Sequence, residues 1–434
     1  MNAEVRIPRT EAERALAEAF AAHRAALPGT PLVAAARQRA FDAFVAKGLP
    51  HRRVEAWRYT DLRALIRAIP PLAGDDAAVP PSLADPLAGL DRARIVILDG
   101  RYRADLSDLS GLDGVTVQSL EALLAAGDER IGGLADRLDD PMVALNTALM
   151  TGGVALEIPS GAAITRAIEI AHVTSAPLAS FVRNHVTVGA GASLRLVETF
   201  TGVAAAYQAN IVTETVVGEG ARVICAKLQA EAQEALHIGS SLVSIGGRAE
   251  FDHLTLMTGA SLARSQSFVT YGGEFARAGL YGATMIGERQ HADIMLGVDH
   301  AVPNGASREL FKAVIDGRAE GIFQGRIVVR PGAQKTDGKM MTQGLLLSED
   351  ASFAAKPELE IFADDVQCAH GATSGEIDED MMFYLLARGI ARPEAETLLI
   401  TAFLAEAIEG LGDAEIGAAF EEIARDWLAA RRPG

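Results

Sequence analysis

The chain has 434 residues, of which 49% are hydrophobic, and its formal net charge is −17. This negative charge argues against nucleic acid and anionic membrane surfaces as partners, because both attract basic protein faces. The two cysteines, Cys225 and Cys368, cannot form a disulfide framework or a self-contained four-thiolate metal site.

Residues 1–148 are predicted to form a mostly helical N-terminal domain. Thr10 can cap a first helix, and apolar side chains recur at helical spacing over residues 31–47. The aliphatic run at 94–98 predicts a buried strand. The N-terminus is helical and mixed in charge, without an apolar signal core, so we expect a cytoplasmic protein. No stretch reaches 18 apolar residues, so no spanning helix is expected.

The second predicted domain, residues 149–375, has a side-chain period of two and an internal repeat. Turns rich in glycine and small residues follow apolar strands at steps of 26 to 32 residues. They occur at Gly161, Gly191, Gly220, Gly247, Gly273, Gly305 and Gly332. A repeat of this length indicates a solenoid, in which stacked units bury the apolar face that one unit cannot bury alone. We predict a β-solenoid of about seven coils, and periodicity alone leaves an antiparallel sandwich open.

The first part of the stretch 357–375 alternates apolar and acidic side chains, which predicts a strand with one buried face. Glu360, Ile361 and Val366 are predicted to belong to an edge that pairs with a second chain. Cys368 and His370 are two residues apart, so in an extended segment both side chains face one space. Thiolate and imidazole suit iron, zinc or an iron–sulfur cluster, yet two ligands are fewer than usual. The alternative is a buried cysteine and a hydrogen-bonded histidine at a strand end.

Residues 376–434 are predicted to form a helical C-terminal domain. Asp378 and Asp413 can cap helices, and Gly389 can end one. The apolar stripes are wide for a small domain, which leaves room for a partner as well as for internal packing. The residues predicted to bind a partner are Leu399, Phe403, Leu404 and Ile408. A further stripe on the last predicted helix consists of Ile416, Phe420, Ile423 and Trp427.

Each other residue that could act in catalysis or binding also has a purely structural interpretation. No phosphate-cradling loop, complete dinucleotide fingerprint or serine-nucleophile motif occurs in the sequence. Cys225 lies in an apolar strand and is interpreted as packing, and His300 is either a motif residue or a hydrogen bonder. Solenoids also host carbohydrate-active enzymes, which act through carboxylates and arginines on one face. Candidates for that role, or for an ordinary solvated face, are Asp293, Asp299, Asp316, Arg318 and Arg326.

Several longer motifs carry a family resemblance. They are Val298-Asp299-His300-Ala301-Val302-Pro303, Phe323-Gln324-Gly325-Arg326-Ile327, Pro331-Gly332-Ala333-Gln334-Lys335-Thr336-Asp337, Leu345-Leu346-Leu347-Ser348 and the stretch 357–375. Together, in this order, they closely resemble the SufB/SufD family of iron–sulfur cluster assembly proteins. The segment Leu49-Pro50-His51-Arg52-Arg53-Val54-Glu55-Ala56-Trp57-Arg58-Tyr59-Thr60-Asp61-Leu62 and the low cysteine content resemble the SufD branch.

The resemblance implies a right-handed parallel β-helix flanked by an N-terminal helical (α/β) domain and a C-terminal helical domain. In this family SufC is the ATPase, SufB and SufD pair, and their C-terminal regions each hold a SufC. The chain would therefore be a non-catalytic scaffold that pairs with SufB, or with a second copy of itself, and binds SufC through residues 376–434. Cys368 and His370 would lie at the interface as ligands of a transient iron–sulfur cluster shared with SufB. Cys368 is alternatively an interface thiol.

Overall fold

The computed structural model describes residues 9–74, 79–80, 82–128, 133–204 and 206–431. The α-helices are α1 Glu11–His23, α2 Pro31–Lys47, α3 Leu62–Leu65, α4 Leu120–Ala126, α5 Pro141–Leu149, α6 Glu379–Leu386, α7 Arg392–Glu409 and α8 Ala414–Ala430. Short 3-10 turns span Glu55–Trp57, Ala104–Leu106 and Ala135–Arg137. Within these residues no helix is both long and apolar enough to cross a membrane.

The strands fall into a short N-terminal group and a long regular series. The first group is β1 Arg92–Leu98, β2 Arg101–Tyr102 and β3 Thr116–Ser119. The series is β4 Val154–Ile158, β5 Ala167–Thr174, β6 Ala179–Val188, β7 Ser193–Gly202, β8 Gln208–Val217, β9 Arg222–Gln229, β10 Leu236–Ile245, β11 Glu250–Met257, β12 Leu262–Tyr271, β13 Arg277–Ile286, β14 His291–His300, β15 Ala306–Ile315, β16 Glu320–Val329, β17 Asp337–Leu346, β18 Ser352–Ile361 and β19 Gln367–Gly375.

Successive strands of the series alternate between two parallel sheets, which is the topology of a β-solenoid. Sheet A runs β18-β16-β14-β12-β10-β8-β6-β4-β3, and sheet B runs β19-β17-β15-β13-β11-β9-β7-β5-β1-β2. The solenoid has about eight turns. The mainly β fold with flanking helices is therefore confirmed. The sequence predicts about seven coils because each was counted from a glycine-containing turn. The last turn, at 362–366, contains no glycine and so was not counted.

The interior of the solenoid is an apolar core built from the inward side chains of both sheets. Strands β1 and β3, which precede residue 149, extend this core because β1 pairs with β5 and β3 pairs with β4. The predicted strand at 94–98 is thus confirmed within β1. Parallel sheets with both faces covered have nearly continuous apolar strands, which explains why burial here does not simply alternate.

The helices cover the outer faces of the two sheets. Side chains of α1, α2 and α5 form a cluster with outward residues of sheet A. Side chains of α7 and α8 form another with outward residues of sheet B, and α7 contacts β13 and β15. The helix caps predicted at Thr10, Asp378 and Asp413 are confirmed, since each side chain accepts hydrogen bonds from first-turn amides. Gly389 adopts the predicted left-handed backbone, with φ of 83°.

Candidate functional site

The last coil of the solenoid has free strand edges. β18 pairs with β16 and β19 pairs with β17, and each lies at the end of its sheet within the described residues. The inward positions of this coil have no following coil to cover them. They include Phe353, Leu359 and Val366, which pack partly against the interior core. This end of the solenoid, formed by residues 352–375, is called the open end below.

Cys368 and His370 lie within strand β19, on its inward side. In the parallel register Cys368 lies beside Gly338, and His370 lies beside Met340. Met340 is 2% exposed and belongs to the interior core. Register neighbours in a parallel sheet point to the same side, so both side chains face the interior direction at the open end. Cys368 is half-buried, whereas His370 is exposed.

The electrostatic setting keeps Cys368 protonated. Burial raises the pKa of its thiol, and the nearby carboxyl groups of Asp337 and Glu309 raise it further. A hydrogen bond from the backbone at Gly338 acts in the opposite direction and is weaker. Because metals bind the thiolate, the thiol must lose its proton as a ligand binds.

Two side chains alone do not make a metal site. Within the described part of the chain, no three His, Cys, Asp or Glu side chains group closely enough to hold a metal ion. Cys368 and His370 supply two ligands of suitable softness, whereas cluster sites need four or so. The remaining ligands would have to come from another molecule at the open end.

The two edges of the open end differ in hydrogen-bonding capacity. Gln367 N–H donates to Thr336 O at 2.8 Å, so this amide points toward the β17 side. Successive amides of a strand point to opposite edges, so the amide of Ala372, five residues on, points to the free edge of β19. In β18, Phe362 N–H donates inward to Val329 O at 2.9 Å. Pro357, which lacks an N–H, therefore occupies an edge-facing position of β18. Proline at such a position blunts an edge strand, so β19 presents the longer run of free donors.

The residues predicted for pairing occupy different positions at this end. Glu360 and Ile361 are exposed at the end of β18, with Ile361 42% exposed. Val366 lies in the turn between β18 and β19 and is half-buried against the interior. A proline substitution at Val366 would therefore remove no bond of the described ladder. To test pairing through a lost edge amide, Ala372 is the better position for proline.

The residues predicted to bind a partner through the C-terminal helices divide into covered and exposed sets. Leu404 and Ile408 are each 1% exposed and contact the outer face of sheet B. They are covered by the chain itself, so a partner-facing role is incorrect for these two. Leu399 and Phe403 are half-buried and line a cavity of about 310 Å³ between β19 and α7.

The exposed apolar surface of the C-terminal domain lies mainly on α6. Its members, with Leu398 of α7, are Met381, Phe383, Tyr384, Leu386 and Leu398, and Phe383 is 73% exposed. We call these five residues the α6 patch. The unbroken apolar run at 381–386 is the sequence signal for it, because a helix of this length cannot bury every face. Met382 alone in α6 is buried.

The three carboxylates considered for carbohydrate chemistry each form an ion pair within the chain. Asp293 is buried in an ion pair with Arg264, and Asp316 pairs with Arg431 at 2.6 Å. Asp299 pairs with Arg330 at 2.9 Å. Asp293 and Asp299 are six residues apart on β14, or about 20 Å at strand spacing. A glycosidase needs two carboxylates within roughly 5–10 Å, an arrangement that these side chains do not provide.

Two further candidates are interior packing residues. Cys225 is buried, and burial raises the pKa of its thiol to about 12. His300 Nε2 lies 3.0 Å from Ser307 Oγ, and its ring stacks on Tyr271 with centroids 4.2 Å apart. Burial lowers the pKa of His300 to about 4, so it remains neutral. The packing and hydrogen-bonding interpretations of these residues fit the structure.

Comparison with known proteins gives a consistent result. A family model described as the SufBD core domain of the SUF system for FeS cluster assembly matches residues 171–403. A second, for the SufBD protein N-terminal region, matches residues 10–170. The iron–sulfur cluster assembly protein SufD of Escherichia coli is 31% identical over 87% of this chain and 88% of its own. An iron–sulfur cluster assembly SufBD family protein of Synechocystis is 30% identical over 86% of each chain. SufD of Bacillus subtilis is 28% identical over 62% of this chain and 63% of its own.

Proposed function

Since the chain belongs to the SufBD family of iron–sulfur cluster assembly proteins, we propose that it is a scaffold subunit of a SufBCD-type complex. It pairs with SufB, or with a second copy of itself, through the open end and binds the SufC ATPase through its C-terminal helices. The observation that carries this proposal is the pair Cys368 and His370 on an uncapped edge coil. We assign the complex to the cytoplasm and assign no catalytic step to this chain.

Pairing at the open end is favoured by its uncovered surface. Solenoids generally need a terminal cap, because the last unit exposes an apolar face that the others bury. Within the described residues β18 and β19 are the last strands of their sheets, and no further strand pairs with them. A second chain stacked on the open end would satisfy the free donors of β19 and bury Phe353, Leu359 and Ile361 of β18.

The cluster is the cargo of this site. Cys368 and His370 supply two ligands, and the partner subunit supplies the others, so the cluster exists only while both chains are joined. His370 is exposed and binds or positions iron, whereas Cys368 acts as a ligand or as an interface thiol. No chain holds the cluster alone, which suits a product that must be released.

The α6 patch is the proposed dock for the ATPase. It contains the large apolar side chains that are exposed in the described part of the C-terminal domain, and aromatic residues such as Phe383 and Tyr384 are typical interface anchors. Helix α6 begins at Glu379, four residues after β19 ends at Gly375. Movement of a docked ATPase can therefore reach β19 directly and favour an open form of the site.

Copurification and size measurement test this proposal. The full chain, coexpressed with SufB and SufC, should elute as one complex containing all three, and thiol labelling of Cys368 should change when ATP is added. A chain that remains a monomer in the presence of both proteins would contradict the scaffold role. Equal labelling of Cys368 with and without ATP would contradict only the gating step.

A further inference from the structure

A groove on the outer face of sheet A is lined by no residue of the open end and has no role in the proposed function. It has a volume of about 380 Å³ and lies between the segment 134–138 and strands β10, β12, β14 and β16. This volume falls within the range of sites for small organic ligands. Two residues considered above for carbohydrate chemistry, Asp299 and Arg326, both line it.

The floor of the groove follows from the strand register. Leu242, Phe268, Gly297 and Arg326 are successive neighbours across β10, β12, β14 and β16. They point outward at intervals of about 4.8 Å. Gly297 contributes no side chain, and a Cβ atom there would lie 3.0 Å from the Phe268 ring. The Phe268 ring therefore lies over the glycine itself, and this half-buried ring lines the groove together with the Arg326 side chain.

The charge of the groove is opposite to that of the whole protein. Arg137, Arg326 and Arg330 line it, and Asp299 is the one acidic residue among its lining residues. Asp299 is engaged by Arg330 through both Nε and Nη2, at 2.9 and 3.0 Å. Arg326 lies 3.4 Å from Glu360 at the surface, a contact that solvent weakens. Among the described residues Arg137 has no ion-pair partner.

We propose that this groove binds a small organic anion that carries an aromatic ring together with a phosphate, sulfonate or carboxylate group. The ring of the ligand would lie against the half-buried Phe268 ring, where apolar contact and stacking both contribute. The anionic group would lie between Arg137 and Arg326, since a planar guanidinium donates two parallel hydrogen bonds to such groups. The chain as a whole has a net charge of −17 and repels anions. The arginines of the groove create a local positive potential that attracts the anionic group to this site.

The first experiment measures binding of 8-anilinonaphthalene-1-sulfonate, an aromatic sulfonate whose fluorescence rises on binding, to the purified full chain. The test variant is Arg137→Gln/Arg326→Gln, and the matched control is Arg318→Gln, an exposed arginine outside the groove. Both groove arginines are exposed, so the double variant should unfold at the same temperature as the unaltered chain. We expect its affinity to fall at least about tenfold, because charge-assisted hydrogen bonds are lost, and the control to bind normally.

Competition identifies the chemistry of the ligand and separates this groove from the apolar open end. Phenyl phosphate should displace the dye at a concentration at least about tenfold lower than inorganic phosphate or phenol, since it alone combines both features. Equal dye affinity in the double variant and the unaltered chain would overturn the proposal. So would displacement by phosphate alone or phenol alone as effective as that by phenyl phosphate.

Discussion

The guanidinium group of Arg264 lies over the indole ring of Trp57, with 3.9 Å between Cζ and the ring centroid. Trp57 Nε1 donates a hydrogen bond to Asp140 at 3.2 Å, and Arg264 Nη2 donates one to Ala56 O at 2.6 Å. Arg264 also forms a buried ion pair with Asp293 on the neighbouring strand. The segment 49–62 is thereby fixed on the outer face of sheet A, and it is part of the folded body rather than a mobile arm.

Replacing Trp57 by alanine should destabilise the protein strongly. The side chain is 1% exposed, so its loss creates a large cavity and leaves Arg264 without its ring. We expect the free energy of unfolding to fall by about 3–5 kcal/mol. Denaturant titration followed by circular dichroism measures this. Tyr59→Ala serves as the control, because Tyr59 is 37% exposed, and a similar loss in both variants would contradict the packing role of Trp57.

His370→Ala should abolish cluster assembly while folding and complex formation remain normal. The imidazole is exposed on an inward position of β19, so it supports no packing that its removal would disturb. The readout is the activity of iron–sulfur enzymes in cells that carry only the variant. His23→Ala, an exposed histidine on α1, is the matched control. Normal maturation of those enzymes in the His370 variant would rule out a ligand or positioning role.

Ala372→Pro should weaken pairing at the open end. The substitution removes an amide that points to the free edge of β19 and leaves the ladder bond of Gln367 to Thr336 in place. One lost intermolecular hydrogen bond corresponds to about 1 kcal/mol, with any steric effect of the ring added. Light scattering across a dilution series measures the shift toward monomer. Ala372→Ser keeps the amide and should pair normally, so equal dissociation of both variants would exclude this edge.

Phe383→Glu should weaken binding of the ATPase. Phe383 is the most exposed member of the α6 patch, and loss of such an anchor typically costs about 2 kcal/mol, or roughly thirtyfold in affinity. Leu32→Glu changes an apolar residue that is 53% exposed on α2 and should bind normally. Calorimetric titration with purified SufC gives both affinities. Unchanged binding by the Phe383 variant would move the dock elsewhere on the C-terminal domain.

Glu309 should make the stability of the solenoid depend on pH. It is 2% exposed in the interior, and burial raises its pKa from 4.5 to about 8 despite opposing effects of Ser307 and Arg308. The folded state therefore holds a proton that the unfolded chain has lost. The stabilisation is complete below pH 4.5 and is lost as pH rises through about 8.

Glu309→Gln removes this dependence, because the amide resembles the neutral acid and does not ionise. Relative to the variant, the unaltered chain should lose stability between about pH 5 and 8, by up to about 1.4 kcal/mol per pH unit. Thermal unfolding of both proteins across that range measures the difference. A constant difference from pH 5 to 8 would contradict a raised pKa.

The local features of this protein could be predicted from its sequence. Side-chain periods, the recurring turns and the capping residues Thr10, Asp378 and Asp413 depend on neighbours a few positions away. The same is true of the two-residue spacing that puts Cys368 and His370 on one face of a strand. These patterns predicted a repeating β fold and the candidate ligand pair, whereas the choice of a parallel β-helix over an antiparallel sandwich rested on the family resemblance.

The tertiary structure alone decided which surfaces stay uncovered. Leu404 and Ile408 form a stripe that suits a partner, yet sheet B covers them, whereas the neighbouring α6 patch remains exposed. The groove lined by Phe268, Gly297 and Arg326 likewise arises only when β12, β14 and β16 lie side by side in register. A sequence pattern shows which face of an element is apolar. What covers that face depends on contacts between residues far apart in the chain, which local periodicity does not encode.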